Sequence, residues 1–345
     1  MRRLPLAFVS GAVATLGVVA SVVALDARSS HPPPATAPSR SAAVLPASTP
    51  YERTVDVAHQ YGLRVWIESD LVKQWLAGPD RFHDAIGRIG ALAGRPGVVG
   101  VKIADEIGYR DGLNSADKIR RFLRDSAAAL HAAAPGKLIL IDLLVPELGC
   151  LPDHAPPLRW ATICAAQQRG QYPQLSLQAV DSYLGSHTLD VIDLSTDLLS
   201  NTTYSGWGVD LATAQRTAWA EVHLRGWDQK VRLQARKALA HPGSYSGSAT
   251  DAQSALSTYV DIPRDEGAAA VDVWTWRQQY QGQMYRLLDP GLRHNALWAA
   301  LLDRRQHGAS LFTHLSPSSL EKGLQADVAV VAQAFSDLFV AAGTG

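Results

Sequence analysis

From Thr49 onward, apolar runs of strand length alternate with stretches whose apolar residues recur every three to four positions. The first helix opens on Thr49-Pro50-Tyr51-Glu52, a capping box with proline at the first helical position, and runs to about Gln60. Gly62 ends it, and Leu63 to Glu68 reads as the first strand, followed by Ser69 and Asp70. A helix from Pro79 to Ala93 carries Phe82, Ile86, Ile89 and Leu92 on one face. The run Val98-Val99-Gly100-Val101-Lys102-Ile103 then has the β-branched density of a buried parallel strand and ends on Asp105 and Glu106. Ser115 caps a helix to about Ala133, and Lys137 to Leu143 is the third strand. Beyond a long loop, a helix near Leu175 to Leu184 precedes the strand Leu189 to Leu194, and a helix from about Leu211 to Leu224 precedes the strand Lys230 to Ala235. Thr250 is the expected cap of the next helix, Ala268 to Trp276 is the sixth strand, and helices near Leu292 to Arg305 and Ser319 to Val340 close the chain.

Strands alternating with helices are the signature of parallel βα units. The pattern predicts an α/β fold, a (β/α)8-type (TIM) barrel with six clear βα units where a closed barrel needs eight. Ala42 to Leu45 is the only further strand candidate before Thr49. The front of the barrel is therefore expected to be missing, replaced, or supplied by the tail after Gly308. A missing front would leave two edges open to association with another chain. An open doubly wound sheet is the alternative, but no glycine-rich phosphate loop follows the first strand.

The first 48 residues read differently. Arg2 and Arg3 precede an uncharged apolar run from Leu4 to Leu25, with small residues near Ala24 and Ala27. That order suits a cleaved signal peptide over 1–25, the favoured reading, and the run is also long enough for a retained N-terminal membrane anchor. Either way the barrel is expected outside the cytoplasm. Residues 26–48 are rich in Pro, Ala and Ser and form a tether, leaving 49–345 as the folded domain. Lys plus Arg and Asp plus Glu are 32 each, so no net field points to nucleic acid. Oligomeric state is not legible from the pattern.

In a βα barrel the chemistry lies at the carboxyl ends of the strands. Asp105 and Glu106 fall there, and so do Glu68, Asp142, Glu147, Asp193 and Asp197, each of which could equally pair a neighbouring Lys or Arg. Lys102 lies within a strand near these carboxylates, where it could serve as a Schiff-base amine or, more simply, as their ion-pair partner. Trp66, Tyr109, Tyr204, Trp207, Tyr245, Trp274, Trp276 and Tyr280 fall at or just past strand ends. Cys150 and Cys164 share one loop, and export favours a disulfide closing about 15 residues, worth roughly 3 kcal/mol. There is no CxxC pair and no HExxH helix, so no metal and no other cofactor is expected.

The helix and strand at Tyr61-Gly62-Leu63-Arg64-Val65-Trp66, the strand Gly100-Val101-Lys102-Ile103-Ala104-Asp105-Glu106 and the late Trp274-Thr275-Trp276 together resemble the retaining glycoside hydrolases built on (β/α)8 barrels. The resemblance covers about Thr49 to Trp276 and implies an exported protein acting on or binding a carbohydrate. It implies Glu106 as general acid/base, beside Asp105, and Trp274 or Trp276 as the sugar-site floor. The family's nucleophile position falls on Gln234, an amide that cannot form the covalent ester. Asp193 or Asp142 is then the choice for activating water, with Asp105, Glu68, Trp66, Tyr109, Tyr204, Trp207 and Gln234 lining the site. A non-catalytic carbohydrate-binding relative is the alternative, and a lyase using Lys102 the third reading.

Overall fold

The computed structural model describes residues 49–151 and 159–342. The strands are β1 (Arg64–Glu68), β2 (Val98–Lys102), β3 (Leu138–Leu144), β4 (Val191–Ser195), β5 (Arg232–Ala238), β6 (His241–Pro242), β7 (Ala270–Tyr280), β8 (Gln283–Arg286), β9 (Leu311–Leu315) and β10 (Asp337–Ala341). Eight of them, all but β6 and β8, pair in parallel in the order β1–β2–β3–β4–β5–β7–β9–β10, and β10 returns to β1. This is a closed (β/α)8 barrel. The two short strands β6 and β8 extend β7 as an antiparallel flap.

The barrel is complete, which corrects the expectation of a missing front. Its last two strands come from the tail: β9 pairs β7, and β10 bridges β9 and β1, so neither expected edge is open. The helix read over Ser319 to Val340 is two elements, a helix Leu324–Ala334 and the strand β10, joined by Phe335 and Ser336 alone. Ala42 to Leu45 lies outside the described residues.

Local chemistry explains the other elements. Thr49 Oγ1 accepts from the Glu52 amide at 3.2 Å while the Glu52 carboxylate accepts from the Thr49 amide at 2.6 Å, the reciprocal box that starts the helix Pro50–Gln60. Ser115 caps Ala116–Ala133, which buries Ile119, Phe122, Leu123, Ala127 and Leu130 against the barrel. The cap of the helix after β5 is Ser248, not Thr250, because Asp251 closes a capping box back onto it.

Two apolar layers result. A shell between strands and helices forms the main core, and a separate plug fills the lower barrel with Trp66, Leu140, Val191, Ala270, Phe312 and Phe339. Each such large side chain stabilises the fold by about 1.5–3 kcal/mol on burial. A β-carbon at Gly100 would overlap both the Trp66 ring and the Leu138 carbonyl, so β2 requires glycine there. Below the plug, buried Asp337 accepts from Trp66 Nε1 at 3.2 Å and from Arg64 at 2.6 Å. The plug is built of apolar side chains, and a second, larger polar layer lies above it, towards the carboxyl ends of the strands.

Candidate active site at the barrel mouth

The layer above the plug is almost entirely ionisable or amide. Asp142, Asp193 and Gln234 are register partners on β3, β4 and β5, while Glu68, Lys102, Asp272 and His314 come from β1, β2, β7 and β9. They form a connected ring. His314 Nε2 meets Asp272 Oδ2 at 2.7 Å and its Nδ1 meets Glu68 Oε2 at 2.8 Å. Lys102 Nζ then donates to Glu68 Oε1 at 2.9 Å and Asp105 Oδ1 at 3.0 Å, with Asp142 Oδ2 at 3.6 Å. Arg236 continues the ring, contacting Asp142 closely, Glu106 Oε1 at 3.2 Å and Asp105 Oδ1 at 3.4 Å. Phe339 floors it, with His314 stacked on its ring at 4.7 Å and Lys102 Nζ 5.4 Å away.

The electrostatics follow from these contacts. Burial opposes charge on Lys102, yet Asp105, Glu68 and Asp142 outweigh it and hold the amine well above its ordinary pKa. A lysine so held is an ion-pair partner, not a Schiff-base nucleophile, which corrects the lyase reading. His314 is pushed up to about 9, because Asp272 and Glu68 override its burial. The same pairing, His314 before Lys102, draws Glu68 down to about 2 against burial. Asp193 differs: burial comes first, Asp272 and Asp142 add repulsion, and its pKa rises well above the carboxylate range. Among the described residues no N–H or O–H of another residue donates to Asp193 or to the Gln234 amide. Asp193 therefore keeps its proton and shares it with Asp272, whose own pKa is lowered.

At the rim the loops after β2 and β4 carry the remaining candidates. Glu106 (φ 46°) and Asp197 (φ 47°) both adopt left-handed backbone, a conformation that side chains other than glycine take up at a cost of order 1–3 kcal/mol. Asp197 is half-buried, and burial together with Glu106 raises it to about 6, with Lys237 pulling the other way. Its backbone is braced from below, since a β-carbon on Gly149 would overlap the Asp197 carbonyl. Lys237, at the end of β5, is lowered by burial despite Asp197, and its Nζ sits 4.3 Å from the centroid of Tyr259.

The aromatic residues do not form one platform. Trp66 belongs to the plug, and Tyr204 is buried, donating to the Gly149 carbonyl at 2.6 Å with Trp207 edge-on at 5.6 Å. Trp276 is buried beside Trp298 and donates to Asp327 at 3.1 Å, whereas Trp274 is half-exposed near Tyr280 and Tyr285 in the flap. The register of β7 slips between Val273 and Arg277, so the two tryptophans do not share a side as plain alternation implies. Tyr109 packs on Tyr172 at 5.0 Å, and Tyr245 packs on His241 at 5.3 Å, away from that pair.

Sequence reasoning brought Glu68, Lys102, Asp105, Glu106, Asp142, Asp193 and Gln234 to one mouth. It missed His314, hidden in the tail, and it gave no role to Arg236, Asp272 or Lys237. Alternation along Gln234-Ala235-Arg236 and Ala270-Val271-Asp272 is the signal that finds the first two. Glu147 is buried in the loop after β3, pairing Arg169 and accepting from the Leu177 amide at 3.1 Å, which makes it structural. Cys150 and Cys164 are joined, their Cα atoms 5.5 Å apart. Among the described residues no His, Cys, Asp or Glu cluster could hold a metal, and no helix is long and apolar enough to cross a membrane. The transmembrane reading thus has no helix to rest on there, and the run Leu4 to Leu25 lies outside the described residues.

No family model and no curated protein matches this chain. Solved structures similar to it include pyruvate carboxylase of Rhizobium etli with acetyl coenzyme-A, 12% identical at a TM-score of 0.42, matching 85% of this chain and 24% of that one. The carboxyl transferase domain of that protein matches at 12% identity and a TM-score of 0.39, over 85% of this chain and 41% of the other. With 3-bromopyruvate the corresponding figures are 11%, 0.41, 85% and 42%. The chain spans less than half the length of each, and at this level of likeness nothing of their chemistry transfers. None of these three is a glycoside hydrolase, so the carbohydrate-active reading finds no support in them and is corrected by the site itself. The burial of Trp66, Tyr204 and Trp276, which takes apart its stacking platform, agrees with that correction.

Proposed function

We propose that the chain is an enzyme whose barrel mouth performs general acid–base chemistry on an uncharged organic molecule, with Asp197 as the group that exchanges the proton. The observation that carries this reading is the convergence of ionisable side chains from seven of the eight barrel strands on the carboxyl-end face, with Glu106, Asp197 and Lys237 at the rim. Such a concentration costs desolvation, and barrel enzymes keep their reactive groups at that face. Ion pairing argues for the substrate class. Lys102 and Arg236 already hold carboxylates, and Lys237 is pushed below an ordinary lysine by burial, so the mouth offers no strong free cation to a phosphate or carboxylate ligand. A carboxyl that titrates near 6 is matched to proton transfer close to neutral pH. Export of the domain, expected from the N-terminal pattern, belongs to the same proposal.

The test is a panel of neutral esters, amides and hydroxycarbonyl compounds in deuterated buffer, followed by NMR for turnover or C–H exchange. The expected result is activity with a pH limb near 6 and a loss of roughly 10² to 10⁴-fold in Asp197→Asn. An Asp197→Asn chain as active as the parent, or no turnover anywhere in the panel, defeats the reading.

A further inference from the structure

Besides the imidazolium of His314, the described residues of the barrel mouth include two lysines and one arginine, and of these three only Lys237 lacks a carboxylate partner. Lys102 touches three carboxylates and Arg236 touches several, whereas among the described residues no ion pair within 4.0 Å and no side-chain hydrogen bond involves Lys237 Nζ. Its neighbours are the face of Tyr259 and, through space, the carboxyl of Asp197. We propose that Lys237 is a covalent catalytic residue that forms an imine with the carbonyl carbon of a small neutral aldehyde or ketone, with Asp197 as its proton partner. The inference rests on the acid–base reading of the same rim and names its substrate class.

The chemistry balances with the groups present. The nitrogen lone pair of neutral Lys237 attacks the carbonyl carbon, and Asp197 relays the amine proton to the oxygen to give a carbinolamine. Protonated Asp197 then gives its proton to the hydroxyl, the C–O bond breaks, water leaves, and the iminium forms opposite an ionised Asp197. No oxidant or further reactant is needed. The environment favours each requirement: burial leaves more of the amine unprotonated than an ordinary lysine, and Asp197, titrating near 6, can both accept and return a proton. The iminium charge is then met by the Tyr259 face and the Asp197 carboxylate.

The chain has seven lysines, Lys73, Lys102, Lys118, Lys137, Lys230, Lys237 and Lys322, so trapping can be mapped completely. The whole folded chain is incubated with hydroxyacetone or glycolaldehyde and cyanoborohydride at pH 6 and at pH 9, and peptides are weighed. Lys237 is expected to trap severalfold faster than any other lysine at pH 6, since a pKa lowered by burial exposes more free amine. That preference should shrink at pH 9. Lys237→Arg should abolish the fast adduct while keeping the charge, and Asp197→Asn should slow it without changing labelling elsewhere. Adducts spread over the exposed lysines with no preference for Lys237 would overturn the inference. Turnover that survives Lys237→Arg but fails in Asp197→Asn would overturn the inference alone, whereas fast trapping in a chain whose turnover ignores Asp197 would overturn the acid–base reading instead.

Discussion

His314 and Asp197 are both shifted upward, by opposite means. His314 gains carboxylate partners that override its burial and take it from 6.5 to about 9, while Asp197 loses solvent and faces Glu106, moving from 3.8 to about 6. A raised folded-state pKa means that the folded state binds its proton more tightly than the unfolded chain. The stabilisation from His314 is therefore fully present below pH 6.5 and is lost as pH rises through 9. Glu68, lowered from 4.5 to about 2, acts in the other sense, its contribution present above 4.5 and lost as pH falls through 2. Thermal melting should accordingly drop between pH 6.5 and 9, and His314→Gln should melt lower at pH 6 yet show a flatter slope across that window. Parallel slopes in parent and variant would show that His314 does not carry the imidazolium described for the ring. At this scale the sequence was legible where a carboxylate ends a strand, as with Glu106. It was illegible where charge depends on residues far apart in the chain, because only folding brings His314 to Glu68 and seats Lys237 against Tyr259.

Elements with one clear period were readable from the chain and those joined without a break were not. The helix Pro79–Ala93 matches its expected span because Pro79 opens it and Gly94 follows it, two local signals that no tertiary contact overrides. Residues 324–341 mislead because helix and strand are both apolar and only Phe335 and Ser336 separate them. The loop after β3 shows how an excursion serves the site. Its first turn, Pro146–Gly149, presses against the Asp197 backbone, and the Cys150–Cys164 bond ties that turn to the helix Arg159–Gln171. Both cysteines lie in this one excursion, so reduction should raise amide exchange over residues 146–171 while the barrel strands keep their protection. Glu147, with Arg169 and the Leu177 amide, remains as a second tie and should limit the loosening. Strand amides that exchange as fast as the loop after reduction would mean that the disulfide holds the barrel itself.

For the molecule as a whole, the barrel depends on the tail that sequence reading set apart. β9 and β10 insert between β7 and β1, deliver Phe312 and Phe339 to the interior plug, and supply both His314 to the ring and Asp337 beneath Trp66. Removing them would unpair two parallel strands, expose the plug to water and strand Glu68 and Asp272 without their shared imidazole. Core losses of this kind exceed the roughly 5–15 kcal/mol that separates folded from unfolded domains. A chain ending at Gly308 should therefore fail to form a monomeric barrel, eluting as aggregate on gel filtration and melting without a cooperative transition. Two exposed parallel edges with apolar faces would recruit other chains. Supplying residues 309–345 as a separate peptide should restore part of the cooperative melt, because the missing strands pair mainly with β1 and β7 and with each other. A truncated chain that stays monomeric and melts like the parent would show that six strands suffice, and the role assigned to the tail would fall.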